Sequence, residues 1–218
     1  MLSGKFHKIE QGRHVEYENC IDKEVIATAE IPHNSPKSDF YYEDSLSGRY
    51  EFHYVPTRRF KEYLSDFDRG NDAYEIINQG KFIGYVCSKI RGGLMKKYRF
   101  DSIVLHGVEY SVYFIALGKD GKRMMFYKNE NGFETQIAEV RKSNEVIDRL
   151  DEYFYQIIDE RYILPVGLFL LFFDFRKNMR NYGEIAKGSK EILISTTKEK
   201  DLLDKYNPEF WEHMDIEK

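Results

Sequence analysis

A short apolar segment near the carboxyl end constrains the fold more than any other part of this sequence. Residues 163–173 read Ile-Leu-Pro-Val-Gly-Leu-Phe-Leu-Leu-Phe-Phe and carry no charged or polar side chain. A helix that is apolar on every side has to be buried on every side. The segment is too short to span a bilayer, which takes roughly 20 residues. The rest of the chain must therefore enclose it, with the helix ending near Asn178.

The enclosing material is predicted to be β-strands. From Arg49 to Asp159, turn signals recur about every 8–12 residues, a spacing typical of an all-β barrel or sandwich. The clearest strand is Glu109–Leu117, where apolar and aromatic residues alternate along one face. The pattern predicts a β-barrel threaded by its own helix. Residues 1–48 are more polar and are predicted to form an N-terminal extension with a short hairpin.

Three regions are therefore predicted: the extension at 1–48, the barrel with its central helix at 49–180, and a C-terminal region at 181–218. In the last region, Glu191–Thr196 is predicted to be a strand and Asp201–Met214 a polar helix that Pro208 breaks or ends. Both terminal regions are short compared with the barrel.

Composition and motifs exclude several classes of function. The net charge of −4 predicts no general attraction to nucleic acid. The chain has no phosphate-binding Gly-Lys-Ser/Thr loop, no Gly-x-Ser-x-Gly elbow and no His-Glu-x-x-His motif. Neither the cysteines, Cys20 and Cys87, nor the histidines have the sequence spacing of metal ligands. We therefore expect a non-catalytic protein without a cofactor or metal.

The cysteines and the N-terminal segment also bear on location. Cys20 and Cys87 are far apart in the sequence, and two reduced thiols are expected rather than a disulfide. Residues 1–8 contain no apolar core of a signal peptide. The expected location is therefore the cytoplasm.

The order of elements resembles the tubby C-terminal-like superfamily, which includes tubby proteins, phospholipid scramblases, the plant LURP-one-related proteins and small bacterial relatives. Three segments carry the resemblance: Tyr74-Glu-Ile-Ile-Asn-Gln-Gly-Lys-Phe-Ile-Gly84, Gln136-Ile-Ala-Glu-Val140, and the apolar helix with Asp174 after it. The resemblance covers residues 49–178. It implies a closed antiparallel barrel of about twelve strands around a central apolar helix. Because the helix is not at the carboxyl end, either residues 191–214 pack outside the barrel or the fold differs from the family's.

The best candidate site is a basic hairpin, Lys89-Ile-Arg-Gly-Gly-Leu-Met-Lys-Lys-Tyr-Arg-Phe100, which contains no acidic residue. Its cations could seat the phosphates of a lipid head group, and in tubby proteins a basic patch on the barrel binds phosphoinositides. The alternative is a solvated hairpin whose lysines protect a strand edge from aggregation. The candidate ligand-binding residues are Lys89, Arg91, Lys96, Lys97 and Arg99.

Two functions follow as hypotheses. The first is a binding module that contacts an anionic membrane surface, or another phosphate-bearing ligand, through this hairpin. The second is a structural or protein-interaction domain whose partner docks on a terminal segment, with Phe210 and Trp211 as anchors. An enzyme with a site in the barrel mouth ranks below both, because no nucleophile paired with a base stands out.

Overall fold

A computed structural model of the 218-residue chain describes residues 1–11, 14–32, 37–56, 73–92, 97–143, 145–147, 151–178, 190–192 and 195–211. These ranges contain fifteen strands, two α-helices and two 3-10 turns. The first eleven strands are β1 Leu2–Gln11, β2 His14–Ile21, β3 Glu24–Pro32, β4 Phe40–Asp44, β5 Gly48–Val55, β6 Ala73–Asn78, β7 Lys81–Gly92, β8 Lys97–Leu105, β9 Val108–Gly118, β10 Lys122–Glu130 and β11 Phe133–Lys142. The remaining elements are β12 Glu145–Ile147, β13 Glu152–Ile157, a 3-10 turn Glu160–Tyr162, α1 Ile163–Asn178, β14 Lys190–Ile192, β15 Ser195–Thr196, α2 Lys200–Leu203 and a 3-10 turn Pro208–Trp211.

The sheet closes on itself into a barrel. Each strand from β1 to β10 pairs with the next strand along the chain. Strand β13 pairs with both β11 and β1, and all of these pairs are antiparallel. Closure removes the open edges that an isolated sheet of this length would expose. The predicted fold class, a closed antiparallel barrel of about twelve strands around a central apolar helix, is confirmed.

The up-and-down order gives the barrel two different rims. We call the end at which α1 begins the lower rim and the end at which it finishes the upper rim. The connections β2–β3, β4–β5, β6–β7, β8–β9 and β10–β11 lie at the lower rim, and each is two or three residues long. In the β6–β7 turn, Gln79 and Gly80 both have positive φ, 51° and 73°, as a two-residue hairpin with the right-handed strand twist requires. The end of β7, the start of β8 and the β9–β10 connection lie at the upper rim.

Helix α1 fills the barrel, as its uniform apolarity predicts. Val166 and every residue from Leu168 to Phe172 are completely buried. Aromatic rings from the wall enclose it: Phe40 stacks on Phe175 with ring centroids 4.2 Å apart, and Phe126 meets Phe169 edge-on at 5.2 Å. No helix in the described ranges is both long enough and apolar enough to cross a lipid bilayer.

The prediction that residues 1–48 form an extension is wrong, because this segment supplies strands β1 to β4 of the barrel itself. Its strands were hard to recognise because some inward positions are not apolar. Lys8 and Asn19 both face the interior and are buried, and Gly4 leaves space for the ring of Tyr155. The period-2 signal that marks a half-buried strand is therefore weak here.

The described residues of the C-terminal segment lie against the outside of the barrel. This is the first of the two alternatives given above for residues 191–214. Strand β15 pairs with β9, and Leu202 and Tyr206 join an outer apolar cluster with Phe100, Tyr113 and others. The predicted strand Glu191–Thr196 corresponds to β14 and β15. In place of the predicted helix Asp201–Met214, the structure has the short helix α2 before Pro208 and a 3-10 turn that begins at Pro208. Residues 212–218 fall outside the described ranges.

Candidate functional site

The structure places the basic hairpin at the upper rim and describes part of it. The backbones of Arg91 and Lys97 are in β7 and β8, next to the turn, but their side chains are outside the description. Lys96 lies outside the described residues. The side chains of Lys89 and Arg99 can be compared directly.

Lys89 and Arg99 lie on opposite faces of the barrel wall. Lys89 is directly paired with Phe100, which belongs to the outer cluster, so Lys89 faces outward. Arg99 immediately precedes Phe100 in β8 and therefore lies on the face that turns inward, where Asp101 also lies. Arg99 is nonetheless exposed, because it is close to the rim. Lys89 and Arg99 of the predicted set therefore do not share one face of the wall.

Lys89 is held in a buried ion pair on the outer face. Its side chain is only 6% exposed, and its Nζ lies 2.5 Å from Oε1 of Glu109. Ser102 donates a 2.7 Å hydrogen bond to the same oxygen. Burial alone would raise the pKa of the Glu109 carboxyl, but the hydrogen bonds from Lys89 and Ser102 outweigh it and lower the pKa. A lysine committed in this way is a poor candidate for a ligand contact.

A buried charged network closes the interior beneath the upper rim. Asp174, fully buried on α1, accepts hydrogen bonds from Tyr17 at 2.5 Å and Tyr153 at 2.7 Å, and its Oδ2 is 2.8 Å from Nζ of Lys8. Burial opposes ionisation of Asp174, yet the nearby lysines, Lys8 first, hold the pKa of its carboxyl well below its usual range. Asp174 is therefore a carboxylate at neutral pH, and it ties the helix to three strands.

A second ion pair fixes the carboxyl end of α1 to the opposite wall. Arg176 donates to both carboxylate oxygens of Asp101, at 2.9 and 2.6 Å, and to the hydroxyl of Ser88 at 2.5 Å. Ser88 also hydrogen-bonds Asp101. This bidentate arrangement is the geometry that arginine favours with carboxylates. A cation at the end of the helix also complements its dipole.

The inward-facing charges of the upper rim are predominantly positive. Lys122 at the start of β10 is the register partner of Lys142 on β11. Burial first, and the charge of Lys142 second, lower the pKa of the Lys122 ammonium. Among the described residues, the rim combines five basic inward-facing side chains with three acidic ones: Lys8, Arg99, Lys122, Lys142 and Arg176 with Asp101, Asp151 and Asp174. An anion at this end would meet a net positive potential.

Sequence reasoning did not identify Lys122. Its position could have been inferred from the alternation Lys122, Met124, Phe126 along β10, in which the two later residues are buried in the core. That inference also requires the register between β10 and β11, which the sequence alone does not supply.

The predicted anchors Phe210 and Trp211 are not available to a partner, contrary to the hypothesis. They are 7% and 3% exposed. The guanidinium of Arg141 lies 3.9 Å from the centre of the Trp211 ring, within cation–π distance. Beneath this region, Glu139 is completely buried beside Arg123 and Arg141. These two aromatic residues attach the C-terminal segment to its own barrel.

The lower rim differs from the upper rim in carrying exposed apolar side chains. Leu46 is 96% exposed, Phe133 is 76% exposed and Phe82 is 60% exposed, each in or beside a hairpin turn. Among the described residues, six of the eight large exposed apolar side chains lie at this rim: Met1, Val25, Leu46, Phe82, Phe133 and Ile158. They come from different turns and connections and are therefore distributed around the rim.

Comparison with known proteins gives no further assignment. No family model matches the chain, and no curated protein and no solved structure matches it.

Proposed function

We propose that the chain is a non-catalytic binding module whose upper rim contacts anionic phospholipid or another phosphate-bearing ligand. The observation that carries the proposal is the predominance of cations among the inward-facing side chains at that rim. The tubby-like resemblance supports the same ligand class, and it remains a prediction. Arg99 and Lys122 replace Lys89 as the described residues expected to contact the ligand.

The position of the contact follows from the filling of the barrel. Side chains of α1 occupy the interior from Val166 to Phe172 with complete burial. A ligand of this barrel therefore binds at a rim rather than inside it. The described residues of the upper rim offer inward-facing positive charge, whereas the lower rim carries most of the large exposed apolar side chains among the described residues.

Co-sedimentation with vesicles tests the proposal. The vesicles contain phosphatidylcholine alone or with phosphatidylserine, at low and high salt, and a soluble inositol trisphosphate is added as a competitor. The test variant is Arg99→Gln/Lys122→Gln. The matched control is Lys23→Gln/Lys81→Gln, which removes the same charge from exposed positions at the lower rim.

Each membrane-proximal cation contributes about 1 kcal/mol, so removing two weakens binding roughly 30-fold. We expect wild type and the control to bind anionic vesicles at low salt and to be released at high salt. If the soluble head group competes, the protein recognises the phosphate itself. If the protein binds anionic vesicles and the soluble head group does not compete, it recognises the membrane surface. Equal binding by the two variants would contradict the proposal, as would the absence of binding by wild type.

A second candidate function is protein interaction, and the exposed apolar lower rim favours it. Phe82 and Phe133 are the largest exposed side chains there and are natural anchors for a partner with an apolar surface. A second copy of this chain is the simplest partner to test. Sedimentation velocity at increasing protein concentration should show salt-insensitive association that Phe82→Ser/Phe133→Ser abolishes. Monomeric wild type at all concentrations would exclude self-association through this rim.

A further inference from the structure

Three side chains with metal-binding chemistry converge on the outer face of strands β1 and β2. They are His7, Glu18 and Cys20. One potential ligand atom from each, a ring nitrogen, a carboxylate oxygen and the sulfur, lies within 4.8 Å of the other two. The cluster is separate from the upper-rim site, because it lies on the outer face of the barrel wall and the upper-rim site uses the inward face.

The register of the hairpin creates this cluster. His7 is directly paired with Glu18 across the two strands, and Cys20 is two residues after Glu18 on the same face. Residues far apart in sequence are brought together by strand pairing, so a search for short linear ligand spacings does not find them. The expectation of no metal site rested on that search.

The distances suit a tetrahedral ion. Nε2 of His7 and Oε2 of Glu18 are 3.7 Å apart. In a tetrahedral zinc site with bonds of about 2.0–2.3 Å, neighbouring ligand atoms are separated by roughly 3.4–3.6 Å. The three potential ligand atoms, all within 4.8 Å of one another, are therefore close to the separations that such an ion requires.

The surroundings of the cluster favour a cation. Counting Glu18 of the cluster itself, the nearest described outward positions on β1, β2, β3 and β13 carry four glutamates and a single lysine. The lysine, Lys5, is paired with Glu152 at 2.7 Å. His7 Nδ1 is buried and has no hydrogen-bond partner among the described residues. Among the described residues, therefore, no hydrogen bond to that nitrogen holds the ring in an orientation that would prevent metal binding. The other three glutamates are Glu16, Glu18 and Glu30.

We propose that His7, Glu18 and Cys20 form a binding site for a divalent metal ion of the zinc class. A mixed nitrogen, oxygen and sulfur donor set is typical of zinc rather than of magnesium or calcium, which bind oxygen donors. The side chains of His7 and Glu18 are 19% and 30% exposed, so an ion can enter from solvent. Three protein ligands leave the fourth tetrahedral position open to water, and the ion clamps β1 to β2.

Titration of the full chain with Co²⁺, followed by competition with Zn²⁺, tests the proposal. Thiolate coordination to Co²⁺ gives a charge-transfer band in the near ultraviolet, which reports Cys20 directly. The test variants are Cys20→Ser, His7→Gln and Glu18→Gln. Cys87→Ser is the matched control, because Cys87 is the other cysteine of the chain, forms no disulfide and is buried in β7, away from the cluster. Circular dichroism verifies that each variant is folded.

The expected result is one Co²⁺ per chain, displaced by Zn²⁺, with the charge-transfer band present in wild type and Cys87→Ser and absent in Cys20→Ser. Loss of a supporting contact already weakens metal affinity about 10–100-fold, so loss of a ligand in His7→Gln should weaken it by roughly 100-fold or more. No saturable binding by wild type would overturn the proposal. Undiminished binding by all three folded test variants would overturn it equally.

Discussion

Substitution of Asp174 tests the account of the barrel interior most sharply. Asp174→Asn keeps the shape of the side chain and removes its charge. The wild-type carboxylate accepts three short contacts, from Tyr17, Tyr153 and Lys8, at 2.5, 2.7 and 2.8 Å. Removing one partner of a buried ion pair costs about 3–5 kcal/mol, because the remaining charge stays buried without full compensation. Asp151, 3.7 Å from Lys8, compensates only in part.

The assay is equilibrium unfolding in urea at neutral pH. We expect Asp174→Asn to lower the free energy of unfolding by about 3–5 kcal/mol, a large part of a typical total of about 5–15 kcal/mol. Lys8→Met/Asp174→Asn should be less destabilised than the sum of its single variants by roughly 1–3 kcal/mol. As a matched control, Glu152→Gln breaks the half-exposed pair with Lys5 and should change stability by no more than about 1 kcal/mol. A loss below about 1 kcal/mol for Asp174→Asn would contradict the claim that the Asp174 carboxylate compensates the buried charge of Lys8.

The pH dependence gives an independent check on the same residue. The pKa of Asp174 is depressed in the folded protein relative to about 3.9 in the unfolded chain. Its contribution to stability is therefore fully present above the unfolded pKa and is lost as the pH falls toward the folded pKa. Wild type should lose stability as the pH falls below about 5, and Asp174→Asn should lose less over that range. Parallel acid profiles would contradict the assigned pKa shift.

Two further predictions concern packing. Gly167→Ala should gain about 0.5–1 kcal/mol of helix propensity, but the new Cβ would meet Oη of Tyr42 at 2.5 Å, and overpacking costs about 1–3 kcal/mol. Net destabilisation in urea unfolding is expected, with partial recovery in Gly167→Ala/Tyr42→Phe, and a stabilised single variant would contradict the contact. Trp211→Ala should release the C-terminal segment from Arg141, so limited proteolysis should cut that segment faster while the barrel stays intact, and an unchanged cleavage rate would contradict the docking.

The main architecture was predictable because its strongest signals are local. The apolar segment at 163–173 predicted a helix buried inside the rest of the chain. The alternation in β9 predicted a strand, and the turn at Gln79-Gly80 is typical of a hairpin. Other strands were harder to predict, because polar residues at inward positions break the apolar alternation. In β8, for example, the charged residue Asp101 faces inward, where Arg176 provides its partner.

The sites were less predictable because they depend on which strands are neighbours. Alternation along β7 and β8 separates side chains into two faces, but only the pairing of Lys89 with Phe100 shows that Lys89 and Arg99 diverge. The cluster of His7, Glu18 and Cys20 likewise exists only in the register of β1 with β2. Long-range register is set by the whole barrel rather than by any short segment.

The central claim is that the upper rim binds a phosphate-bearing ligand. The most direct measurement is the amide NMR spectrum of the full chain during titration with a soluble inositol trisphosphate. The account predicts saturable shifts concentrated at the upper rim, including the amides of Arg99 and Lys122, with the lower-rim turns at Leu46 and Phe82 unchanged. Shifts concentrated at the lower rim, or an unchanged spectrum at high ligand concentration, would contradict it.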